Sequence, residues 1–353
     1  MQLMAELARA LGKDDEADGF EAQVATSYKA FQQTFFDADK GLYRDGMDTD
    51  HTSLHANLFP LAFGWVPKAS RSAIADWLAN RGMACSVYAA QYLMEALFEN
   101  GADLQAVELI TAKSDRSWRH MVESGTTITW EAWDQKYKPN QDWNHAWGAA
   151  PANLLPRYIL GAQALTPGWE TARIQPHLGG LKFAEGKVPT PKGPILIKLE
   201  NVPNKPFRLD VSVPANMKAQ VEIPLPDGKG GITLNGESIQ AEVINGYAVV
   251  EDLGCGMHQF LIPAVVKERI KPKAPVVEVI KAVYGSDEKN VDVTVKFRSL
   301  VIPDRQAVNL PCGYNKQFGD PHPKTVKKLV VEYEPDGKKK CKTFAEDCRV
   351  VLD

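Results

Sequence analysis

Cysteine is scarce in this chain, with five in 353 residues. None lies in a CxxC pair or at zinc-finger spacing, so neither a disulfide scaffold nor a structural metal site is predicted. No apolar run is long enough for a membrane-spanning helix, so no membrane partner is predicted. The N-terminus has no charged segment followed by an apolar stretch, so no signal peptide is visible and the compartment stays open.

Several motifs of common enzyme classes are also missing. The chain has no nucleophile elbow, P-loop, dinucleotide fingerprint or HExxH motif, which disfavours esterase, kinase and dehydrogenase chemistry and predicts no cofactor. The net charge is −3, but residues from 267 onward carry 18 Lys and Arg against 13 Asp and Glu. This asymmetry indicates a domain boundary. Because no aromatic residues interleave with a basic patch, a nucleic-acid partner is not predicted.

The first 165 residues have the pattern of a helical domain. Phe20, Val24, Phe31 and Phe35 follow one another at helical spacing. Similar stripes recur with short connections, which predicts about seven or eight helices. The chain opens directly on an amphipathic helix, so we expect a further segment upstream.

The pattern changes after residue 166. Residues 181–262 are rich in Val, Ile, Pro and Gly, with alternating apolar residues at 195–199 and 209–213, which predicts a β-sandwich. A Pro- and Lys-rich linker is expected at 272–275. Alternation returns at 291–297 and 329–333, which predicts strands of a second, small β-domain.

The richest chemistry lies in residues 126–151, TTITWEAWDQKYKPNQDWNHAWGAAP, which we call the tryptophan segment. It holds four of the eight tryptophans, together with Glu131 and His145. Indole faces suit the C–H faces of sugar rings, and a carboxylate among them can be tuned by lost solvation. The segment therefore predicts carbohydrate chemistry.

Two interpretations of Glu131 stay open at this point. It is either a general acid or base, or a partly buried carboxylate paired with Arg157 or Arg119. His145 is likewise either a ligand for a substrate hydroxyl or a helix cap. The acidic stretch at 45–50 is a weak calcium-loop pattern, but its Gly and terminal Glu positions do not fit an EF-hand. The alternative is that Asp50 or Thr52 caps the helix that follows.

Six motifs occur in an order that resembles one family. They are TTITWEAW (126–133), WNHAWGAAP (143–151), RYILG (157–161), PGW (167–169), IQP (174–176) and GKVPTPKGPI (186–195). The series resembles the C-terminal half of the bacterial α-L-rhamnosidases, glycoside hydrolase family 78. The resemblance covers residues 1–263.

The resemblance implies a partial (α/α)6 barrel over residues 1–166 and an antiparallel β-sandwich over residues 167–266. The small β-domain at 276–353 lies outside it and receives no role. The implied activity is inverting hydrolysis of terminal α-L-rhamnosides, in which one carboxylic acid protonates the leaving oxygen and a second carboxylate activates water. The family's base is the glutamate of the TxWExW-type motif, which is Glu131 here. The residues expected to bind substrate are His145, Trp133, Trp130, Asn144, Trp147 and His55.

The chain departs from the family pattern in one respect. The family's general acid lies in an upstream acidic motif that has no match here, and a closed (α/α)6 barrel needs twelve helices. We therefore expect a truncated or split member, inactive alone, whose apolar flanks bind a complementing N-terminal half or a second copy. The alternatives are a non-catalytic carbohydrate-binding or accessory protein and a fragment of a split gene. The expected ligand is a rhamnose-containing oligosaccharide or glycoside.

Overall fold

The computed structural model describes residues 1–225, 231–264, 277–302, 307–308, 314–335, 338–345, 350 and 352. It divides the chain into two compact units, Met1–Val265 and Val266–Asp353. The predicted linker at 272–275 lies outside the described residues.

The first 160 residues form the predicted helical domain. A two-stranded hairpin, β1 (Phe36–Asp37) with β2 (Leu42–Tyr43), follows its second helix. The eight α-helices are α1 (Gln2–Ala10), α2 (Asp14–Phe35), α3 (Leu54–Ala62), α4 (Arg71–Arg81), α5 (Val87–Glu99), α6 (Asp103–Ile110), α7 (Trp118–Glu123) and α8 (Ala150–Leu154). A π-helical turn, Leu155–Ile159, continues α8.

Serine side chains define where three of these helices begin. The hydroxyls of Ser53, Ser86 and Ser117 accept backbone N–H groups in the first turns of α3, α5 and α7. Each satisfies a donor that the helix itself leaves free. The predicted cap of α3 at Asp50 or Thr52 was therefore wrong, because Ser53 is the residue whose hydroxyl reaches the free N–H group.

The core of this domain lies between α3, α4 and α5, where Leu58, Ile74, Leu78 and Leu93 are fully buried. The helices pair as hairpins but do not close a barrel within residues 1–160. No helix in the described parts of the chain is long and apolar enough to cross a bilayer.

Helix α1 leaves most of its apolar side chains in solvent. Its small residues Ala5 and Ala8 face inward, whereas Leu3 and Leu7 are 77% and 61% exposed. Arg9 ties α1 to α2 through Asp18, 2.7 Å away. The helix is therefore held by small side chains and ion pairs, and its larger apolar surface has no partner within the described residues.

Two stacked sheets form the predicted β-sandwich. One sheet has the strand order β10-β9-β13-β7-β6-β5 and the other β11-β12-β8-β4-β3. Neighbouring strands are antiparallel except β4 and β8, which run parallel. The strands are β3 (Ala162–Ala164), β4 (Thr171–Ile174), β5 (Phe183–Val188), β6 (Ile195–Glu200), β7 (Phe207–Val213), β8 (Lys218–Pro224), β9 (Ile232–Leu234), β10 (Glu237–Ile239), β11 (Glu242–Ile244), β12 (Tyr247–Leu253) and β13 (Gly256–Ile262). Strand β3 lies before the predicted boundary at residue 167.

Alternation along the strands explains how the sandwich encloses its core. In β6, Ile195, Ile197 and Leu199 are buried while the residues between them are exposed. Since side chains alternate across a strand, each sheet presents one apolar face to the other.

The second unit contains a four-stranded antiparallel sheet of order β15-β14-β18-β19. Its elements are β14 (Val277–Gly285), β15 (Asn290–Asp292), α9 (Thr294–Arg298), β16 (Val301–Ile302), β17 (Ala307–Val308), α10 (Tyr314–Phe318), β18 (Lys328–Pro335) and β19 (Lys340–Ala345).

The strand predicted at 291–297 was wrong beyond its first residues. The chain turns into α9, whose first residue, Thr294, donates its N–H to the Asp292 carboxylate (2.9 Å). The helical turn brings Val293 and Phe297, four residues apart, to the same buried face.

Candidate active site

The tryptophan segment is an irregular loop between α7 and α8 that doubles back on itself. The N–H of Glu131 donates to the carbonyl of Asp142 (3.0 Å), and the N–H of His145 donates to the carbonyl of Thr129 (2.9 Å). These two hydrogen bonds pair the two arms of the loop, although residues 126–130 form no regular strand. This pairing places Glu131 beside His145.

The side chain of Glu131 is only 12% exposed. One carboxylate oxygen forms an ion pair with Lys138, and the other accepts the N–H of Asp142 (3.0 Å). The Lys138 ammonium, followed by the Asp142 N–H, lowers the pKa of the Glu131 carboxyl below its usual value. The carboxylate is therefore ionised at neutral pH.

The expected pairing of Glu131 with Arg157 or Arg119 was wrong. Arg157 instead contacts Glu95 (2.8 Å), and Arg119 contacts Glu123 one helical turn away (2.6 Å). Arg119 thus pairs within its own helix, α7, whereas Arg157 in the π-helical turn pairs with a carboxylate of α5.

The indoles of the segment divide into a buried pair and an exposed pair. Trp130 and Trp133 are 5% and 3% exposed. The Trp133 indole N–H donates to the buried carbonyl of Cys85 (2.7 Å), and its ring packs edge-on against Trp118. These two buried side chains pack beneath the loop. A substrate contact by either one stays an untested prediction.

Trp143 and Trp147 form the exposed pair, with 50% and 41% of their surface in solvent. The Trp147 ring stacks on His145 with centroids 4.1 Å apart, and its N–H donates to the Glu131 carbonyl (3.1 Å). Trp143 meets Trp130 edge-on. The exposed indoles therefore provide aromatic surface next to the carboxylate.

His145 precedes a 3-10 turn, Ala146–Gly148, and does not cap it with its side chain. The Nδ1 atom of this histidine is buried and has no hydrogen-bond partner among the described protein groups. Asn144 beside it is exposed. Asn144 is therefore accessible to a ligand, whereas the Nδ1 atom of His145 is not, and a substrate contact by His145 stays a prediction.

His55 lies on α3 in a separate groove of about 440 Å³. The groove is apolar and is lined by Gln2, Phe31, His55, Ala56, Phe59, Pro60, Phe63 and Trp65. A row of ring contacts connects it to Trp147 through Phe59, Tyr92 and Tyr88. This row of aromatic side chains therefore connects His55 indirectly to the Glu131 site.

The acidic stretch at 45–50 organises its own loop. The Asp45 carboxylate contacts the Nδ1 atom of His51 (2.5 Å) and accepts the N–H of Ser53 (2.7 Å). Both carboxylate oxygens are occupied in this way. Nowhere in the described parts of the chain do three His, Cys, Asp or Glu side chains converge as metal ligands would.

Lys138 is the site residue that the sequence analysis missed. It lies seven residues after Glu131 in a loop, where no periodicity brings side chains together. The only signal was a basic residue inside the tryptophan segment, and charge alone does not specify a pairing across an irregular loop.

Residues 1–159 match the family model of the bacterial alpha-L-rhamnosidase 6 hairpin glycosidase domain, and residues 161–235 match that of the bacterial alpha-L-rhamnosidase C-terminal domain. The helical hairpins and the sandwich thus define a six-hairpin glycosidase architecture. Within this class, the chain belongs to the bacterial alpha-L-rhamnosidase family, which confirms the resemblance that the motifs indicated.

Two curated relatives carry the name alpha-L-rhamnosidase. The protein of Alteromonas sp. (strain LOR) is 28% identical over 228 residues, covering 61% of this chain and 24% of the relative. The protein of Formosa agariphila is 27% identical over 252 residues, covering 68% and 26%. The chain thus spans about a quarter of the length of these relatives.

Solved structures agree in fold. The alpha-L-rhamnosidase of Dictyoglumus thermophilum has a TM-score of 0.64 at 23% identity, covering 74% of this chain and 30% of that one. The alpha-L-rhamnosidase of Streptomyces avermitilis, complexed with L-rhamnose, has a TM-score of 0.59 at 25% identity, covering 73% and 25%. These likenesses support the helical domain followed by the sandwich.

Proposed function

We propose that this chain contributes the base side of an inverting hydrolysis of terminal α-L-rhamnosides, with Glu131 as the general base. The observation that carries this choice is the pair of donors on the Glu131 carboxylate, the Lys138 ammonium and the Asp142 N–H, which favour its charged form. A general acid must hold a proton before reaction, whereas a general base must lack one. The lowered pKa of Glu131 favours the second role.

The surroundings of Glu131 support binding of a sugar. Trp147 and Trp143 offer apolar faces to C–H groups, and the exposed side chain of Asn144 offers polar atoms to hydroxyls. A ligand stacked on Trp147 would lie close to Glu131, because the Trp147 indole N–H donates a hydrogen bond to the Glu131 carbonyl.

The test is release of rhamnose from an aryl α-L-rhamnoside by the chain, alone and together with candidate complementing polypeptides. Glu131→Gln should lower the rate about 10²–10⁴-fold, the usual worth of general acid–base assistance. Glu123→Gln is the matched control, since Glu123 is 55% exposed and, among the described residues, forms an ion pair only with Arg119. Equal rates for both variants would contradict the role of Glu131, and a product that retains the anomeric configuration would contradict inversion.

A second candidate is a non-catalytic carbohydrate-binding or accessory role. Its support is that Lys138 and the Asp142 N–H already engage both oxygens of Glu131. Rhamnose binding that survives Glu131→Gln but is lost in Trp147→Ala, without turnover in any mixture, would favour it. Trp147 is the better probe than Trp133, because Trp133 is buried and its removal would disturb the fold.

We also propose that a second polypeptide covers the exposed face of α1, formed by Leu3, Met4, Leu7 and Leu11. Large apolar patches on a protein surface commonly mark interaction sites. A complementing N-terminal half would restore turnover on mixing, whereas a second copy would give a concentration-dependent dimer in sedimentation. Leu7→Glu should abolish either association and leave the thermal midpoint of the chain unchanged.

A further inference from the structure

Lys138 is placed to act on Glu131 directly. Its ammonium group pairs with one oxygen of a carboxylate that is largely withdrawn from solvent, while the lysine side chain itself is 40% exposed. The backbone N–H of Asp142 holds the other oxygen at 3.0 Å. The carboxylate is thus fixed between two donors, and Lys138 is the one that brings a full positive charge.

The loop that carries Lys138 is anchored through the two residues that precede it. The Tyr137 hydroxyl donates to the Asp115 carboxylate (3.0 Å), which also pairs with Lys136. The guanidinium of Arg116 lies 4.3 Å from the centre of the Tyr137 ring. These contacts immediately precede Lys138 and hold its backbone against the segment between α6 and α7.

The loop is also closed after Lys138. The N–H of Gln141 donates to the Lys138 carbonyl (3.0 Å), and the Gln141 side-chain oxygen accepts the N–H of Ala132 (3.3 Å). Gln141 is 5% exposed, so this closure is buried. Lys138 is consequently held from both sides and points its ammonium group at one carboxylate.

We propose that Lys138 is a positioning residue that fixes both the orientation and the negative charge of the Glu131 carboxylate. The inference rests on the proposed function in that Glu131 is taken to act as the base. The other titratable group that acts on Glu131 is His145, whose positive form favours the same charge state. A base held in this way stays deprotonated to lower pH, but it is also a weaker base.

The role predicts a dependence on the charge of residue 138 and not on its bulk. Lys138→Met removes the ammonium but keeps a long, flexible side chain, whereas Lys138→Arg keeps the charge. Lys113→Met is the control, because Lys113 is exposed and forms no ion pair with the described residues. Lys138→Gln is the second uncharged variant, to be used if Lys138→Met does not fold.

The measurement is a pH titration of the whole chain labelled with ¹³C at the glutamate carboxyl carbons. The Glu131 signal is identified by its absence from Glu131→Gln. We expect the titration midpoint of Glu131 to move to higher pH in Lys138→Met, and to stay at the parent value in Lys138→Arg and Lys113→Met. An unchanged midpoint in Lys138→Met or Lys138→Gln, with tryptophan fluorescence like that of the parent, would overturn the proposal.

This titration requires no turnover, so its outcome is separate from that of the proposed function. If hydrolysis is obtained, the acidic limb of kcat/KM should move to higher pH in Lys138→Met and be restored by Lys138→Arg. If the acidic limb of the kcat/KM profile stays at the parent pH in Lys138→Met, the positioning role is contradicted, even where Glu131→Gln abolishes activity.

Discussion

Gly148 is the position where one added methyl group should most disturb the site. A Cβ atom there would lie 2.6 Å from the Trp130 carbonyl oxygen and 2.8 Å from the Thr129 Cβ. The first neighbour is backbone and cannot rotate away, and the segment is tied down by the pairing of Glu131 with Asp142. Gly148→Ala should therefore cost about 1–3 kcal/mol, the usual range for overpacking, with the upper part expected here.

The assay is urea unfolding followed by tryptophan fluorescence. All eight tryptophans lie between residues 65 and 169, so the signal reports the first unit without a contribution from the second. With a denaturant slope of about 2 kcal/mol per M, a loss of about 2 kcal/mol moves the midpoint down by about 1 M.

Gly19→Ala is the control for the change of residue type. Gly19 lies exposed within α2, has an ordinary φ, and a Cβ there meets no atom within 4 Å. Alanine should stabilise this helix by up to about 1 kcal/mol. A Gly148→Ala midpoint equal to or above that of the parent would refute the close approach of residues 129–130 to Gly148, and with it the packing that places Glu131.

Two further predictions concern the same domain. Trp133→Phe should lower the free energy of unfolding in urea by about 1–3 kcal/mol, because the buried Cys85 carbonyl loses its donor. Trp147→Phe, at an exposed position, should change it by less than about 0.5 kcal/mol. Similar costs for the two variants would contradict the division into buried and exposed indoles. The Ser53 N–H, followed by His51, lowers the pKa of the Asp45 carboxyl in the folded protein. The Asp45 carboxylate therefore stabilises the fold above its unfolded pKa of about 4. This contribution is lost as the pH falls through the lower folded pKa. Thermal midpoints measured against pH should therefore fall in acid, less steeply in Asp45→Asn, and an identical slope in that variant would count against the loop contacts.

Much of the fold followed from periodicity. The stripe of Phe31 and Phe35 and the alternation of Ile195, Ile197 and Leu199 predicted a helix and a strand, and both are present. Such patterns are readable because each position's face depends only on its local spacing. The same rule failed at α9, where Val293 and Phe297 fit a helical turn as well as a strand, and the hydrogen bond to Asp292 decided between them.

The candidate site was predictable only in its composition. The clustering of Glu131, His145 and the tryptophans in one segment predicted carbohydrate chemistry, and the ordered motifs indicated the family. The roles of the individual indoles were not predictable, because burial of Trp133 depends on a carbonyl at Cys85, 48 residues earlier in the chain.

The sequence by itself therefore determined the helical domain, the sandwich and the residue types of the site, since these depend on spacing along the chain. Only the tertiary structure decided which indoles face solvent, and that Lys138 rather than an arginine meets Glu131. Both outcomes depend on how an irregular loop closes and on what it packs against. The ion pair of Lys138 with Glu131, which lowers the pKa of that carboxyl, follows from that closure.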